Sequence, residues 1–233
     1  MDKRFPEIGS DGSILEGIVT TINDDRSVNI SPMGPIVDHR MNQLLLRPFR
    51  SSTTYRNLKR TGQGVFHVTD DVHLFAQAAL GQPDPLPNMT PAKAIDGFIL
   101  GDACRWYALQ VVELDDSHER TEISARTVDR GRLRDFFGFH RARHAVIEAA
   151  ILATRVHLLP TETVMEDLKR LEIPLRKTAS RAELDAFALL RSHIHQALSD
   201  SHCELARTKN KGDSKYESEH SSSLINTEQI SEE

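Results

Sequence analysis

The chain has 233 residues, a formal net charge of -5 and 27% charged residues, which is ordinary for a globular protein. This length fits one large domain or two small ones. The mild acidity argues against a nucleic-acid-binding protein, which usually shows a basic face. The amino terminus has no apolar targeting segment, and no apolar run approaches the roughly 18 residues that a membrane span needs. We therefore expect a cytoplasmic protein with neither a nucleic-acid partner nor a membrane partner.

The first part of the chain is predicted to be mostly β-structure. Residues 1–13 are polar and are expected to form a flexible lead-in. Runs rich in β-branched residues, separated by turn residues, then predict strands and one short helix in a domain at 14–130. Short strands at such intervals are typical of a small barrel or sandwich. The predicted strands are 15–23, 27–38, 43–49, 64–71, 103–114 and 120–128, the helix is 73–80, and the prolines of 81–91 indicate an extended loop.

The pattern changes after residue 131, where helical composition begins. Helices are predicted at 138–159 and at 161–173. The second is expected to stop at Pro174, because proline lacks the amide that a helix interior needs. A third helix is predicted at 181–198.

The third helix is preceded by a capping box. Ser180 and Glu183 are three residues apart, so their side chains can satisfy each other's free backbone amides. We place the helical C-terminal domain at 131–200. Residues 201–233 are polar and carry too little apolar surface to offset the entropy of ordering, so they are predicted to form a disordered tail.

One stretch concentrates hydrogen-bond donors between two predicted strands: LLLRPFRSSTTYRNL, residues 44–58. A phosphate needs convergent donors and positive charge, which amides at a helix start, hydroxyls and arginine supply. If a helix begins here, Ser51 or Ser52 would be its N-cap, while Thr54 and Asn57 would share a face. The candidate phosphate ligands are Arg47, Ser51, Ser52, Thr53 and Thr54.

The same residues have a simpler interpretation. Hydroxyl runs at strand-to-helix junctions often only cap the helix. The chain has no GxxxxGK[ST] motif, which excludes a nucleoside-triphosphate P-loop, and no GxGxxG motif, which weakens a dinucleotide site. From these residues alone, a helix cap and a phosphate site both remain open.

The arginine- and hydroxyl-rich turn, its T-x-x-N step and the following GVFHV strand resemble the FMN-binding split barrel of flavin reductases. A longer resemblance is to the DUF447 family, through LEGIVTTIN, NISPMGP, LLLRPFRSSTTYRNL, GVFHVTDDVHLFA and GFHRARHAVIEAAILATR. It spans about residues 14–200. It implies an α+β protein: a split β-barrel, a C-terminal helical segment, and a homodimer with FMN at its interface. The implied function is an FMN-dependent oxidoreductase that acts on a small molecule.

The resemblance also implies positions for the cofactor-binding residues. The NISPMG loop matches the segment that runs past the isoalloxazine ring in flavin reductases, and Gly34 would let the backbone approach that ring closely. His67 stands where flavin reductases often carry Asn. The implied phosphate and ribityl residues are Arg47, Ser51, Ser52, Thr53, Thr54 and Asn57, and the implied ring residues are Ser31, Pro32, Met33 and Gly34.

The predicted helix at 138–159 carries a polar line: Arg141, His144, Glu148 and Arg155, at steps that share one face. These residues have two interpretations. Either they form a solvated face of the helix, or Arg141 or Arg155 projects into the dimer cleft and contacts the flavin or an anionic substrate. The other large side chains of this helix are predicted to be core, namely Phe139, Val146, Ile147, Ile151, Leu152 and Val156.

No residue is predicted to act as a catalytic acid, base or nucleophile. His140 and His144 have helical i, i+4 spacing, but no nearby carboxylate completes a metal site. Direct hydride transfer by a flavin needs no such group. The alternatives are a flavin-binding module without turnover, and a site for another phosphate-bearing cofactor such as pyridoxal phosphate or a deazaflavin.

Overall fold

The computed structural model describes residues 5–81 and 83–200. The strands are β1 (Gly12–Ile14), β2 (Gly17–Ile22), β3 (Val28–Met33), β4 (Ile36–Asp38), β5 (Gln43–Leu46), β6 (Gln63–Val68), β7 (Met89–Pro91), β8 (Phe98–Leu100), β9 (Arg105–Asp115) and β10 (Glu122–Arg132). Eight of them form one antiparallel sheet in the order β1-β4-β5-β10-β9-β6-β2-β3. The remaining two, β7 and β8, pair with each other.

The strand predictions hold for most of the sheet; β8 is not among the predicted strands, and three other places need correction. The run 27–38 is two strands, β3 and β4, because Gly34 and Pro35 interrupt it. The described part of the lead-in is partly paired, since β1 lies antiparallel to β4. The loop predicted at 81–91 ends in β7, whose three residues are too few to show a strand pattern.

The described helices are α1 (Thr53–Thr61), α2 (Val72–Leu80), α3 (Arg141–Ala153), α4 (Thr161–Thr178) and α5, residues 181–200. A 3₁₀ turn, Val156–Leu158, follows α3. Within the described ranges, no helix has both the length and the apolar character to cross a membrane. The predicted tail at 201–233 lies outside the described residues.

The prediction that Pro174 ends the second C-terminal helix is wrong. α4 continues to Thr178 with Pro174 inside it. A proline in a helix interior removes a hydrogen bond and crowds the preceding turn, at a cost of about 3 kcal/mol. Leu168 and Leu175 are buried on either side of the proline. Packing of these side chains offsets the local cost, so tertiary contacts override the sequence pattern.

α3 is shorter than the predicted helix, and two predicted core residues lie outside it, Phe139 before it and Val156 in the 3₁₀ turn after it. Phe139 is 96% exposed, because it precedes α3 in the irregular segment 133–140. Ile147 and Ile151 are only half-buried. The remaining predicted core residues of this helix are buried, namely Val146, Leu152 and Val156.

β2 shows how the sheet and the helices meet. All six of its residues are buried. Successive side chains of a strand point to opposite faces. Ile18 and Ile22 pack in one cluster with α2, α3, α4 and α5, whereas Val19 packs in a second cluster with residues of β5, β6, β9 and β10. The helices therefore cover the sheet at β2, and the second cluster fills its other side.

Candidate functional site

The arginine- and hydroxyl-rich stretch forms a turn between β5 and α1. Its backbone is held against the start of β10, because the carbonyl of Pro48 accepts hydrogen bonds from the amide (3.0 Å) and the hydroxyl (2.8 Å) of Thr121. Arg47 Nε is buried and has no hydrogen-bond partner among the described residues. An unpaired buried donor is costly. This atom is therefore a candidate donor to a ligand.

α1 begins directly after this turn. Ser52 is its N-cap, and its Oγ accepts a hydrogen bond from the amide of Tyr55 at 3.1 Å. Arg56 folds back over the helix start and donates to the carbonyl of Ser51 at 2.6 Å and to Thr53 Oγ1 at 2.9 Å. The first amides of a helix have no acceptor within it and carry partial positive charge. This helix start therefore favours an anion.

The T-x-x-N step lies on the buried face of α1. Asn57 Nδ2 donates to Thr21 Oγ1 at 3.0 Å and to Asn23 Oδ1 at 2.7 Å. Thr54 Oγ1 accepts from Asn29 Nδ2 at 3.1 Å. These bonds hold α1 against β2 and β3. The geometry therefore supports a positioning role for Thr54 and Asn57, in place of the direct phosphate contact that the sequence predicts.

Arg120 lies near enough to Arg47 and Arg155 for both to act on its charge, and we call these three arginines, of which Arg120 and Arg155 are exposed, the cationic cluster. Burial, and then repulsion from Arg47 and Arg155, lowers the pKa of the Arg120 guanidinium. The Arg120 guanidinium carbon also lies 5.2 Å from the centre of the Phe49 ring, beside the turn. No ion pair is found for any of the three arginines in the part of the chain that the structure describes. None of the three is therefore neutralised by an ion pair with those residues, although the charge of Arg155 also acts on the Glu16 carboxylate.

The predicted ring-side residues lie at the end of β3, an edge strand of the sheet. All of them are half-buried, so they remain partly accessible to a ligand. They are Ser31, Pro32, Met33 and Gly34.

Glu16 joins this end of β3 to the cationic cluster. Its Oε1 lies 2.6 Å from the point that a Cβ on Gly34 would occupy, so the glycine leaves the space that the carboxylate fills. Burial, and then the nearby Glu148, raises the pKa of Glu16, whereas Arg155 lowers it. The charge of Arg155 thus lowers the pKa values of both Glu16 and Arg120.

His67 has a structural role. It is fully buried, and its Nε2 accepts from the amide of Leu100 at 3.1 Å. Nδ1 must then carry the proton, which it donates to the carbonyl of Ile18 at 3.1 Å. Burial lowers the pKa of His67 to about 4. Because both ring nitrogens are used and none of the ring is exposed, the predicted cofactor contact is replaced by a link between β2, β6 and β8.

The four residues of the predicted polar line lie in different environments. Arg141 is exposed at the start of α3. Arg155 is the member that reaches the cluster. Arg143, which the sequence pattern does not single out, faces inward and pairs with Asp70 at 3.1 Å and Glu183 at 3.0 Å. The other members of the line, His144 and Glu148, are exposed.

A cavity of about 510 Å³ lies beside Arg143 and Glu183, and none of the predicted site residues lines it. Asp70 lines it together with Arg134, Phe137 and Arg143. Burial alone would raise the pKa of Asp70, but hydrogen bonds from Arg134 and from the amide of Phe137 bring it to about 2. Arg143 Nη1 is buried and has no hydrogen-bond partner among the described residues, but it forms an ion pair with Asp70 at 3.1 Å, so its charge is compensated there.

His140, one of the two histidines with i, i+4 spacing, has a structural contact. Nδ1 of His140 accepts from the amide of Arg143 at 3.3 Å and so caps α3. Among the described residues, no group of three or more His, Cys, Asp or Glu side chains could hold a metal ion.

Sequence reasoning did not find Arg120 or Glu16. Arg120 meets Arg47 only through the pairing of β5 with β10, which no local spacing encodes. Glu16 offered a weak signal, as a charged residue at the start of the apolar strand LEGIVTTIN.

Comparison with solved structures identifies the fold. An FMN-bound DUF447 protein from Methanosarcina mazei aligns with a TM-score of 0.66 and 21% identity, over 80% of this chain and 100% of that chain. The styrene monooxygenase flavin reductase of Pseudomonas putida S12 gives a TM-score of 0.43 and 14% identity, over 50% of this chain and 77% of that chain. The first likeness confirms the predicted fold, a split β-barrel followed by a helical segment. A comparison with curated proteins finds no match.

Two family models match the chain. The model "Protein of unknown function (DUF447) N-terminal domain" matches residues 15–134, and the model "Protein of unknown function (DUF447)" matches residues 140–192. Together they cover well over half of the sequence, so the resemblance in the sequence motifs is confirmed and the chain belongs to the DUF447 family.

Proposed function

We propose that this protein is a flavoprotein that binds FMN at the turn between β5 and α1. The observation that carries the proposal is Arg47 Nε, which is buried without a hydrogen-bond partner among the described residues, in a cluster of arginines without ion pairs. A phosphate supplies acceptor oxygens for the unpaired donor and negative charge that can pair with the arginines. The FMN-bound relative from Methanosarcina mazei, which has the same fold, supports FMN as the phosphate-bearing ligand.

The residues present fit the parts of this cofactor. We assign the phosphate to Arg47, Arg120 and the helix start at Ser51–Thr53, which together offer guanidinium, hydroxyl and amide donors. Thr54 and Asn57 orient that helix start through their bonds to β2 and β3. We assign the flavin ring to the half-buried end of β3, at Ser31, Pro32, Met33 and Gly34.

We further propose that the protein is an oxidoreductase that acts on a small molecule. When bound, FMN supplies hydride or electron transfer, and the chain supplies position and electrostatics. No described side chain in the site is placed as a dedicated nucleophile, which suits direct transfer from the cofactor. Binding without turnover is the competing function.

The experiment has two stages. The purified protein, with or without added FMN, is examined by visible absorption, and any chromophore is released by denaturation and identified. A protein that stays colourless and ignores added FMN contradicts the proposal. If FMN is bound, NADH or NADPH is added without oxygen: bleaching of the flavin followed by reoxidation with an added acceptor supports an oxidoreductase, and an unchanged spectrum favours a binding module.

We also propose that the protein forms a homodimer. Three aromatic side chains of the segment 133–140 are exposed: Phe136 (48%), Phe137 (71%) and Phe139 (96%). Such a concentration of apolar surface is typical of a protein interface. Light scattering should give the mass of two chains for the native protein and of one chain for the double variant Phe137→Ser, Phe139→Ser. A control, Leu86→Ser, removes another exposed apolar residue and should leave the mass unchanged. A native protein with the mass of one chain would refute the dimer.

A further inference from the structure

Glu16 is an acid that lies beside the arginines of the proposed cofactor site. Its carboxylate lies against Gly34, at the end of β3, and Glu148 and Arg155 act on it from α3 and from the turn after it. Arg155 in turn acts on Arg120. A carboxylate in this position repels an anionic ligand when it is ionised, and stops doing so when it takes up a proton.

We propose that Glu16 is part of the ligand site and takes up a proton when an anionic ligand such as FMN binds. The proposal rests on the proposed function, because it concerns the same site. With Glu16 and Glu148 both ionised, two negative charges oppose the three arginines of the cluster. One proton on Glu16 leaves a single negative charge there, so the site attracts an anion more strongly.

The electrostatics of the unbound site point the same way. Burial and Glu148 already raise the pKa of Glu16 above its ordinary value, so its neutral form is reached at a higher pH than in a free glutamate. The negative charge of a bound phosphate raises the pKa further. Affinity is then highest below the pKa of the free protein and falls as the pH rises towards the pKa of the complex.

The test compares FMN affinity across pH in the wild-type protein and in Glu16→Gln. Gln keeps the size of the side chain but stays neutral, so the variant should bind FMN as the wild type does at low pH. At high pH it should bind about tenfold more tightly than the wild type, which corresponds to a binding-linked shift of about one pKa unit. The phosphate of FMN titrates in both proteins, so its effect cancels in the comparison.

A second measurement detects the proton itself. Calorimetric titration in two buffers of different ionisation enthalpy should show proton uptake on binding in the wild type, in excess of the uptake in Glu16→Gln. The control is Glu113→Gln, an exposed glutamate of β9, which should behave as the wild type does.

The possible outcomes separate the two proposals. Equal pH profiles for the wild type and Glu16→Gln would refute the role of Glu16 and leave FMN binding intact. Tighter binding by Glu16→Gln at every pH would also refute it, because Glu16 would then stay ionised throughout. Failure of both proteins to bind FMN at any pH would instead refute the proposed function.

Discussion

At the scale of single residues, His67 shows how a buried titratable group sets a pH limit on stability. Its ring is neutral in the folded protein and bonded at both nitrogens, to Ile18 and to Leu100. Burial lowers its pKa from 6.5 to about 4. In the unfolded chain the same ring takes up a proton near its ordinary pKa, so acid favours unfolding.

The sign and size of this effect give a prediction. Above about pH 6.5 the His67 ring is neutral in the folded and the unfolded chain alike. As the pH drops towards 4, protonation of the unfolded chain lowers the free energy of unfolding by about 3 kcal/mol in all. Urea unfolding at several pH values should show this fall in the native protein, and His67→Gln should flatten it. The exposed His118→Gln is the matched control. A slope in His67→Gln equal to that of the native protein would place the acid sensitivity elsewhere.

Residue types alone could predict part of the site. Arg47 and the hydroxyl run stand out in the sequence because they are contiguous, and Ser52 is the N-cap that they predict. The hydrogen bonds of Asn57 could not be predicted, because its partners Thr21 and Asn23 come from β2 and the turn that follows it. Whether a polar side chain binds a ligand or another part of the protein depends on contacts that are distant along the chain.

Among the helices, the start of α1 is determined by local sequence, whereas the extent of α4 is determined by tertiary packing. The start of α1 follows its capping residue, so local chemistry predicts it. α4 runs through Pro174 against its local preference, because Leu168 and Leu175 are buried on either side. Elements with strong local determinants are predictable from sequence, and those held by packing are not.

Replacement of Pro174, which lies inside α4, should stabilise the protein. Pro174→Ala restores the missing backbone hydrogen bond and relieves crowding in α4, so the free energy of unfolding should rise by about 1 to 3 kcal/mol. Denaturant unfolding measures this change. A lower stability would contradict it, and would mean that the proline bends α4 into the position that buries Leu175.

At the scale of the whole molecule, a charged junction joins the barrel to the helical segment. Asp70, at the end of β6, pairs with Arg143 of α3, which pairs with Glu183 of α5. The capping box is part of this junction, since Glu183 accepts hydrogen bonds from the amide (2.8 Å) and the hydroxyl (2.5 Å) of Ser180. The order of barrel and helices could be predicted from composition, but this junction could not, because its members come from three distant segments.

The two parts of the molecule also meet at the proposed cofactor site. Arg47 and Arg120 come from the barrel, and Arg155 comes from the turn that follows α3, the first helix of the helical segment. The proposed function requires that this cluster bind the phosphate of FMN. Riboflavin, which lacks the phosphate, therefore provides the natural comparison ligand.

The most direct test measures the affinities of FMN and riboflavin for the native protein, for Arg47→Gln and for the control Arg126→Gln, an exposed arginine of β10. Loss of charge-assisted hydrogen bonds worth about 1.5 to 3 kcal/mol should weaken FMN binding by Arg47→Gln about 10- to 100-fold. Riboflavin binding by this variant, and both affinities of Arg126→Gln, should stay at native values. FMN binding by Arg47→Gln at native affinity, or an equal loss for both ligands, would contradict the assignment of the phosphate to this cluster.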